Sequence, residues 1–130
     1  MSSRAALLDC FRAAVDAVDA RRCVRDSLQQ RPLPAGDWHV VAIGKAAGAM
    51  AFGAVEGLGP RIAGGRIVVP PDHLPPAFDP AAHGLEVLVA SHPVPDERSI
   101  TAGEQVAQYV SGLPERACDA GRRRPRGRRP

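Results

Sequence analysis

The chain contains one lysine among seventeen Lys and Arg residues, and that lysine stands in a glycine turn. Lys45 lies within Gly44-Lys45-Ala46-Ala47-Gly48, directly after the apolar run Val40-Val41-Ala42-Ile43 and before Met50, Phe52, Ala54 and Val55. The β-branched run reads as a buried strand, and the small-residue stretch beyond it reads as a helix. A strand, a tight turn and a helix leave the first helical N–H groups free, and the helix dipole favours an anion beside them. A compact ammonium on a flexible stem suits that place better than a planar guanidinium. The implied chemistry is the binding of a phosphate or carboxylate at Gly44 and Lys45. The motif is neither a P-loop, since GxxxxGK[ST] is absent, nor a dinucleotide fingerprint, since Gly44, Gly48 and Gly53 do not give GxGxxG. The plainer alternative is that the glycines allow close packing and Lys45 is a solvated residue. That alternative sets a cation against the helix dipole, a conflict which a bound anion removes.

A second constellation is His92-Pro93-Val94-Pro95-Asp96-Glu97-Arg98-Ser99. It follows Leu85-Glu86-Val87-Leu88-Val89-Ala90, which reads as another buried strand. In open parallel sheets ligands bind beyond the carboxyl ends of strands, so this loop and the Lys45 turn are placed to face one cleft. Two prolines stiffen the loop. His92 is suited to bond a hydroxyl or act as a base, with Asp96 to orient it. The alternative, equally weighted, is that Asp96 and Ser99 cap the next helix and His92 is an ordinary loop residue. His73 and His83, with Asp72 and Asp79 nearby, match no metal-ligand spacing. Cys10, Cys23 and Cys118 form neither a CxxC pair nor a Cys/His set, so no zinc site or disulfide framework is expected and a reduced, cytoplasmic setting fits.

The elements that would position these residues follow from the pattern. Leu7, Leu8, Phe11, Val15 and Val18 recur at helical spacing between residues 4 and about 20. A second short helix is predicted from about Ala20 to Gln29, ended by Pro32 and Pro34. The first strand starts at Trp38, and Gly57-Leu58-Gly59-Pro60 stops the helix that follows the glycine turn. Gly65-Arg66-Ile67-Val68-Val69 is predicted as the second strand, and a proline-rich loop runs from Pro70 to Pro80. Thr101 and Glu104 suggest a capping box for a last helix that carries Val106, Tyr109 and Val110 to Leu113. Strands alternating with helices predict an α/β fold, a Rossmann-like three-layer sandwich with a parallel sheet of three or four strands. Only 4% of residues are aromatic, so small aliphatic residues must fill the core, which also favours α/β layers. No apolar run approaches membrane-spanning length and no signal peptide is visible, so a membrane partner is not expected.

Charge is divided unevenly. Residues 116–130 hold seven arginines and one acidic residue, whereas the preceding residues hold more Asp and Glu than Lys and Arg. The stretch Arg116 to Pro130 lacks periodicity and apolar content, so it is expected to be a disordered arginine-rich tail distinct from a domain over 1–115. Arginines attract phosphates, but no aromatic or fold motif accompanies them, so nucleic acid is not expected as a partner.

Taken together, VVAIGKAAGAMAFGAVEGL, GGRIVVP and VLVASHPVPDERSITAGEQVAQYVSGL resemble the N-terminal domain of the type 2 glycerate kinases, the MOFRL-linked family. The resemblance runs from about residue 4 to 114 and rests on the GKAAGAM and HPVPDERS motifs in that order. It implies ATP-dependent phosphorylation of D-glycerate to 2-phosphoglycerate, with ATP and Mg²⁺ as cofactors, in a cleft between two domains. Lys45 matches the family's motif lysine, implied to be catalytic and to contact substrate or transferred phosphate. Gly44, His92, Asp96 and Ser99 match the segments bordering the same cleft. Some relatives carry a hydroxypyruvate reductase name, a chemistry that the missing GxGxxG disfavours. Where the family continues into another strand and a glycine-rich turn, this chain has its arginine tail. The expectation is therefore a truncated product with a frame-shifted tail, inactive alone and marginally stable, since an uncovered sheet edge remains.

Overall fold

The computed structural model describes residues 3–114; the arginine-rich stretch and its proposed frame shift lie outside the described residues. The first helix, α1 (Ser3–Ala17), and the second, α2 (Ala20–Gln30), form where the apolar spacing places them. Asp19 separates the two and caps α2, its carboxylate accepting from the Arg22 N–H at 2.7 Å. Among the described residues the apolar face of α1 meets no core: Leu7, Phe11 and Val15 are exposed, as is Val18 just beyond it. Helical spacing fixes which side chains share a face but does not supply the surface they cover.

Three strands, β1 (Trp38–Ile43), β2 (Ile62–Val69) and β3 (Leu85–Val89), form a parallel sheet in the order β1-β2-β3. The second strand starts three residues before the predicted Gly65, at Ile62. The extra segment holds Ala63 and Gly64, carries a register irregularity opposite Trp38 and His39, and has Gly64 at φ 154°. Such a glycine-bearing irregularity carries no β-propensity signal, which is why the pattern alone misses it.

Side chains alternate across the sheet. Val40, Ala42, Ile67, Val69, Leu85 and Val87 face α3 (Ala47–Leu58), whose Ala47, Ala51 and Val55 complete a core closed by Phe78 from the proline-rich loop. Val68, Leu88 and Ala90 face α4 (Glu97–Ser111), where Ala102 and Val106 cover them. Helices on both faces of an open parallel sheet make this the expected α/β sandwich.

Outside α3 lies α2, in very close approach. A Cβ on Gly53 would run into the backbone carbonyl of Arg21, and Gly57 lies against Leu28. Arg21 makes two bonds to Glu56, Nη2 to Oε1 at 2.6 Å and Nε to Oε2 at 2.9 Å, and its guanidinium lies 3.6 Å from the centre of the Phe52 ring. Two parallel N–H···O bonds fix the angle between the helices as well as the charge pair. This pairing, through its hydrogen bonds above all, raises the Arg21 pKa and lowers that of Glu56.

The last helix begins at Glu97 and is capped by Asp96, five residues ahead of the Thr101 cap suggested by its sequence. The reciprocal box is Asp96 with Ser99: the Asp96 carboxylate accepts backbone N–H groups of the first turn, and the Ser99 hydroxyl accepts the Asp96 N–H at 3.4 Å. Threonine and glutamate also satisfy the box spacing, but Asp96 comes first in the chain and directly follows Pro95. Helix can therefore extend back through Ser99 and Thr101.

Candidate active site

All three strands run in one direction, so their carboxyl ends open on one edge of the sheet, where ligands bind in folds of this class. β1 leads into Gly44, whose N–H donates to Val68 O at 2.9 Å while its φ of 117° swings the chain out of the sheet. That φ is open to glycine and costly for residues with a Cβ. β3 leads into Ala90, tied by its N–H to Val69 O at 3.0 Å, and then into Ser91 and His92. Between these two exits and α4 lies a cleft of about 230 Å³. Gly44 and Lys45 form one wall, Ser91 and His92 another, and Ser99 with Gly103 a third; Ile43, Val68 and Val106 make an apolar floor.

Four of the five residues singled out in the sequence thus meet in one place: Gly44, Lys45, His92 and Ser99. Lys45 is exposed and forms no ion pair among the described residues, so its ammonium is available to an incoming anion. The start of α3 has Ala46 at its cap, which offers no side-chain acceptor to the helical N–H groups. Positive charge from the lysine and from the helix end therefore accumulates at the same mouth. Gly48, one turn further on, is a packing glycine: a Cβ there would lie 2.9 Å from the His73 carbonyl and 3.0 Å from Pro75 Cδ. Gly53 faces α2 in the same way. The packing alternative for the glycines thus holds at Gly48 and Gly53, but against a loop and a helix rather than a strand. Gly44 has open space around it.

Asp96 stands apart. It does not line the cleft, and its carboxylate is committed to Arg98, Oδ1 accepting the backbone N–H at 2.9 Å and Oδ2 accepting Nε at 3.0 Å. Those bonds, led by the Arg98 side chain, hold the Asp96 pKa below the usual carboxylate range. No hydrogen bond joins Asp96 to His92 among the described residues, so the imagined carboxylate–imidazole pair is not formed; the capping alternative describes Asp96. His92, in a cis bond to Pro93, is exposed at the cleft rim.

Among the lining residues not singled out in the sequence are Ser91 and Gly103. The Ser91 hydroxyl donates to Val94 O at 2.6 Å and lies 3.3 Å from Ser99 Oγ, so it braces the loop that carries His92. Ser99, Gly103 and Val106 follow i, i+4, i+7 spacing, and a helix registered from Asp96 would have shown that Gly103 shares the cleft face.

The family model described as "Domain of unknown function (DUF4147)" matches residues 6–118. A protein of Agrobacterium vitis bearing a provisional hydroxypyruvate reductase name is 40% identical over 114 residues, which is 87% of this chain and 24% of that protein. The D-glycerate 2-kinase of Thermotoga maritima is 33% identical over 108 residues, 83% of this chain and 24% of that one. The crystal structure of a glycerate kinase from Thermotoga maritima superposes with a TM-score of 0.70 at 34% identity, covering 84% of this chain and 25% of its own. The chain therefore spans about a quarter of the length of these relatives. Its open three-stranded parallel sheet with flanking helices matches the N-terminal domain of the glycerate kinases. A family match over nearly the whole described chain, with the glycine turn and the histidine loop on one cleft, establishes that the chain belongs to the DUF4147 domain family, among glycerate 2-kinase homologues.

Proposed function

We propose that the cleft at Lys45 is the substrate half of a glycerate 2-kinase site, one that binds D-glycerate beside the phosphates of ATP. The observation that supports this reading is the convergence of an ammonium without an ion pair among the described residues, a helix start without a side-chain cap, and the hydroxyls of Ser91 and Ser99 on one small cleft. Glycerate carries one carboxylate and two hydroxyls. Lys45 with the α3 N–H groups would hold a carboxylate or a transferring phosphate, while Ser91, Ser99 and His92 offer partners for hydroxyls.

Phosphoryl transfer demands positioning and charge neutralisation from the protein more than covalent chemistry. Lys45 would neutralise the negative charge that accumulates on the transferring group, and His92 at the rim can accept a proton from the attacking hydroxyl. Phosphate groups fit the turn. A magnesium ion does not: among the described residues no three His, Cys, Asp or Glu side chains converge, and the cleft wall carries no carboxylate. No step through a metal is assigned to this chain. The reductase name of the Agrobacterium vitis relative suggests a second reading. It is disfavoured because a dinucleotide turn needs glycines that let a pyrophosphate approach, whereas Gly48 and Gly53 are occupied by backbone from the 73–75 loop and α2.

Titration calorimetry of the purified chain with D-glycerate tests the proposal. Saturable binding is expected, and replacing Lys45 by Ala should weaken it about ten- to a hundredfold, the scale of one charge-assisted hydrogen bond. Turnover with ATP is expected to be absent for the chain alone, whose cleft is open on one side. Equal affinity in the Lys45→Ala variant would contradict the reading.

A further inference from the structure

Toward the amino ends of the strands, on the α4 face of the sheet, four polar side chains that do not line the cleft meet one another. His39 stands on β1, Arg66 on β2, Glu86 on β3 and Tyr109 on α4. The Tyr109 hydroxyl lies 2.5 Å from His39 Nδ1, and the two rings meet edge to face with centroids 5.7 Å apart. The Arg66 guanidinium lies 4.1 Å from the centre of the Tyr109 ring, and its Nη2 reaches Glu86 Oε2 at 3.0 Å. A cation over the ring face and a bond at its tip hold one tyrosine from two sides. Gly64 gives the hydroxyl its seat: a Cβ there would lie 3.0 Å from Tyr109 Oη and 3.8 Å from His39 Nδ1. The irregular, glycine-bearing start of β2 thus makes room for the tip of Tyr109.

The rest of α4 is lightly held. Ala102 is its one buried residue among those described, and Val106 packs half-buried on the same cluster. A methyl and an isopropyl group choose the face that α4 turns to the sheet, but they remove too little area from water to fix its tilt. Ala102, Val106 and Tyr109 follow i, i+4, i+7 spacing, so the tyrosine extends that stripe by one turn. Toward its other end the same helix carries Ser99 and Gly103 to the Lys45 cleft. Tyr109 lies about 9 Å along the axis from Gly103 and about 15 Å from Ser99. Ala102 is then a pivot, and a helix released at its Tyr109 end swings Ser99 across the cleft mouth. Resting on the reading of the cleft as a substrate site, we propose that Tyr109 is a positioning residue for it. Its bond to His39 fixes the tilt of α4 and so the distance of Ser99 and Gly103 from Lys45.

NMR of the isotope-labelled 130-residue chain tests this without reference to activity. Tyr109→Phe keeps the ring and its contact with Arg66 and removes the bond alone. His39→Ala removes the partner, whereas His39→Asn restores an acceptor close to the place of Nδ1. In mildly alkaline solution the imidazole nitrogen spectrum should show the proton on Nε2 and Nδ1 as an acceptor, and the Nδ1 resonance should move in Tyr109→Phe. Residual dipolar couplings of residues 97–111 should show α4 reoriented against the sheet in Tyr109→Phe and His39→Ala but not in His39→Asn. The amide shifts of Ser99 and Gly103 should divide the variants in the same way. Affinity for D-glycerate should fall about two- to tenfold in the first two variants and recover in the third, the scale of one neutral hydrogen bond. An α4 orientation unchanged in Tyr109→Phe overturns the proposal even where the melting temperature falls, since Tyr109 is then a packing residue only. Equal effects of His39→Ala and His39→Asn overturn it too. Should Tyr109→Phe fail to fold, the His39 pair decides by the same couplings. An unsubstituted chain that binds no D-glycerate would refute the substrate reading and leave the couplings to judge the positioning of α4, so the two claims fail separately.

Discussion

At the scale of single residues, Lys45 and Asp96 illustrate opposite fates of polar groups picked out by their setting. Lys45 was legible because a lone lysine at a strand-to-helix turn has a dipole against it, and it stands free at the cleft. Asp96 was legible as a polar residue next to a strand end, but a carboxylate directly before a helix is drawn to the first-turn N–H groups before it can orient a histidine. Its pKa lies below the ordinary 3.8 because Arg98 and the helix start bind the charged form. A carboxylate with a lowered folded pKa contributes stability above its unfolded value and loses it as pH falls through the folded one. Carbon-detected NMR titration should therefore place the Asp96 midpoint below 3.8. Asp96→Asn should lower the melting temperature at neutral pH and remove its share of the loss seen on acidification. A midpoint at or above the ordinary value would show that the cap is not formed in solution.

At the scale of elements, two glycines separate packing from function. Gly53 exists because α2 lies too close for a side chain: its Cβ would meet the Arg21 carbonyl. Gly53→Ala must push α2 outward and disturb the Arg21–Glu56 pair, at a cost of about 1–3 kcal/mol of the kind that overpacking brings. Gly103 sits within α4 with nothing inside 4 Å of its Cβ position and lines the cleft. Gly103→Ala should add up to about 1 kcal/mol of stability, as Ala replaces Gly in a helix, while narrowing the cleft and weakening D-glycerate binding. Chemical denaturation of the two variants checks both signs, and a stabilised Gly53→Ala would contradict the packing described. The sequence pattern found the four α-helices and three strands, from apolar spacing in α1, α2 and α4, from small helix-forming residues in α3 and from β-branched apolar runs in the strands. It misplaced the starts of β2 and α4, where a glycine irregularity and a competing capping box decide the boundary. Neither depends on hydrophobic spacing.

At the scale of the molecule, the sequence pattern showed the fold class and brought two distant motifs to one cleft, because parallel strands send their carboxyl ends to one edge. What remained hidden was the distribution of uncovered surface. The face of α1 reads like a core face and β1 reads like a buried strand, yet among the described residues the α1 face and the Val41 and Ile43 side of β1 are exposed. Apolar patterning records what a segment covers in its final assembly, whichever segment covers it. The Lys45 cleft borders one of these exposed faces through Ile43.

The central claim, that this cleft receives D-glycerate, is tested most directly by mapping amide chemical shifts of the isotope-labelled chain during titration with that acid. Saturable shifts at Gly44 to Gly48, at Ser91 and His92, and at Gly103 are predicted, with the same resonances moving only at about ten- to a hundredfold higher D-glycerate in the Lys45→Ala variant. Shifts confined to other elements, or no shifts at saturating D-glycerate, would contradict the account.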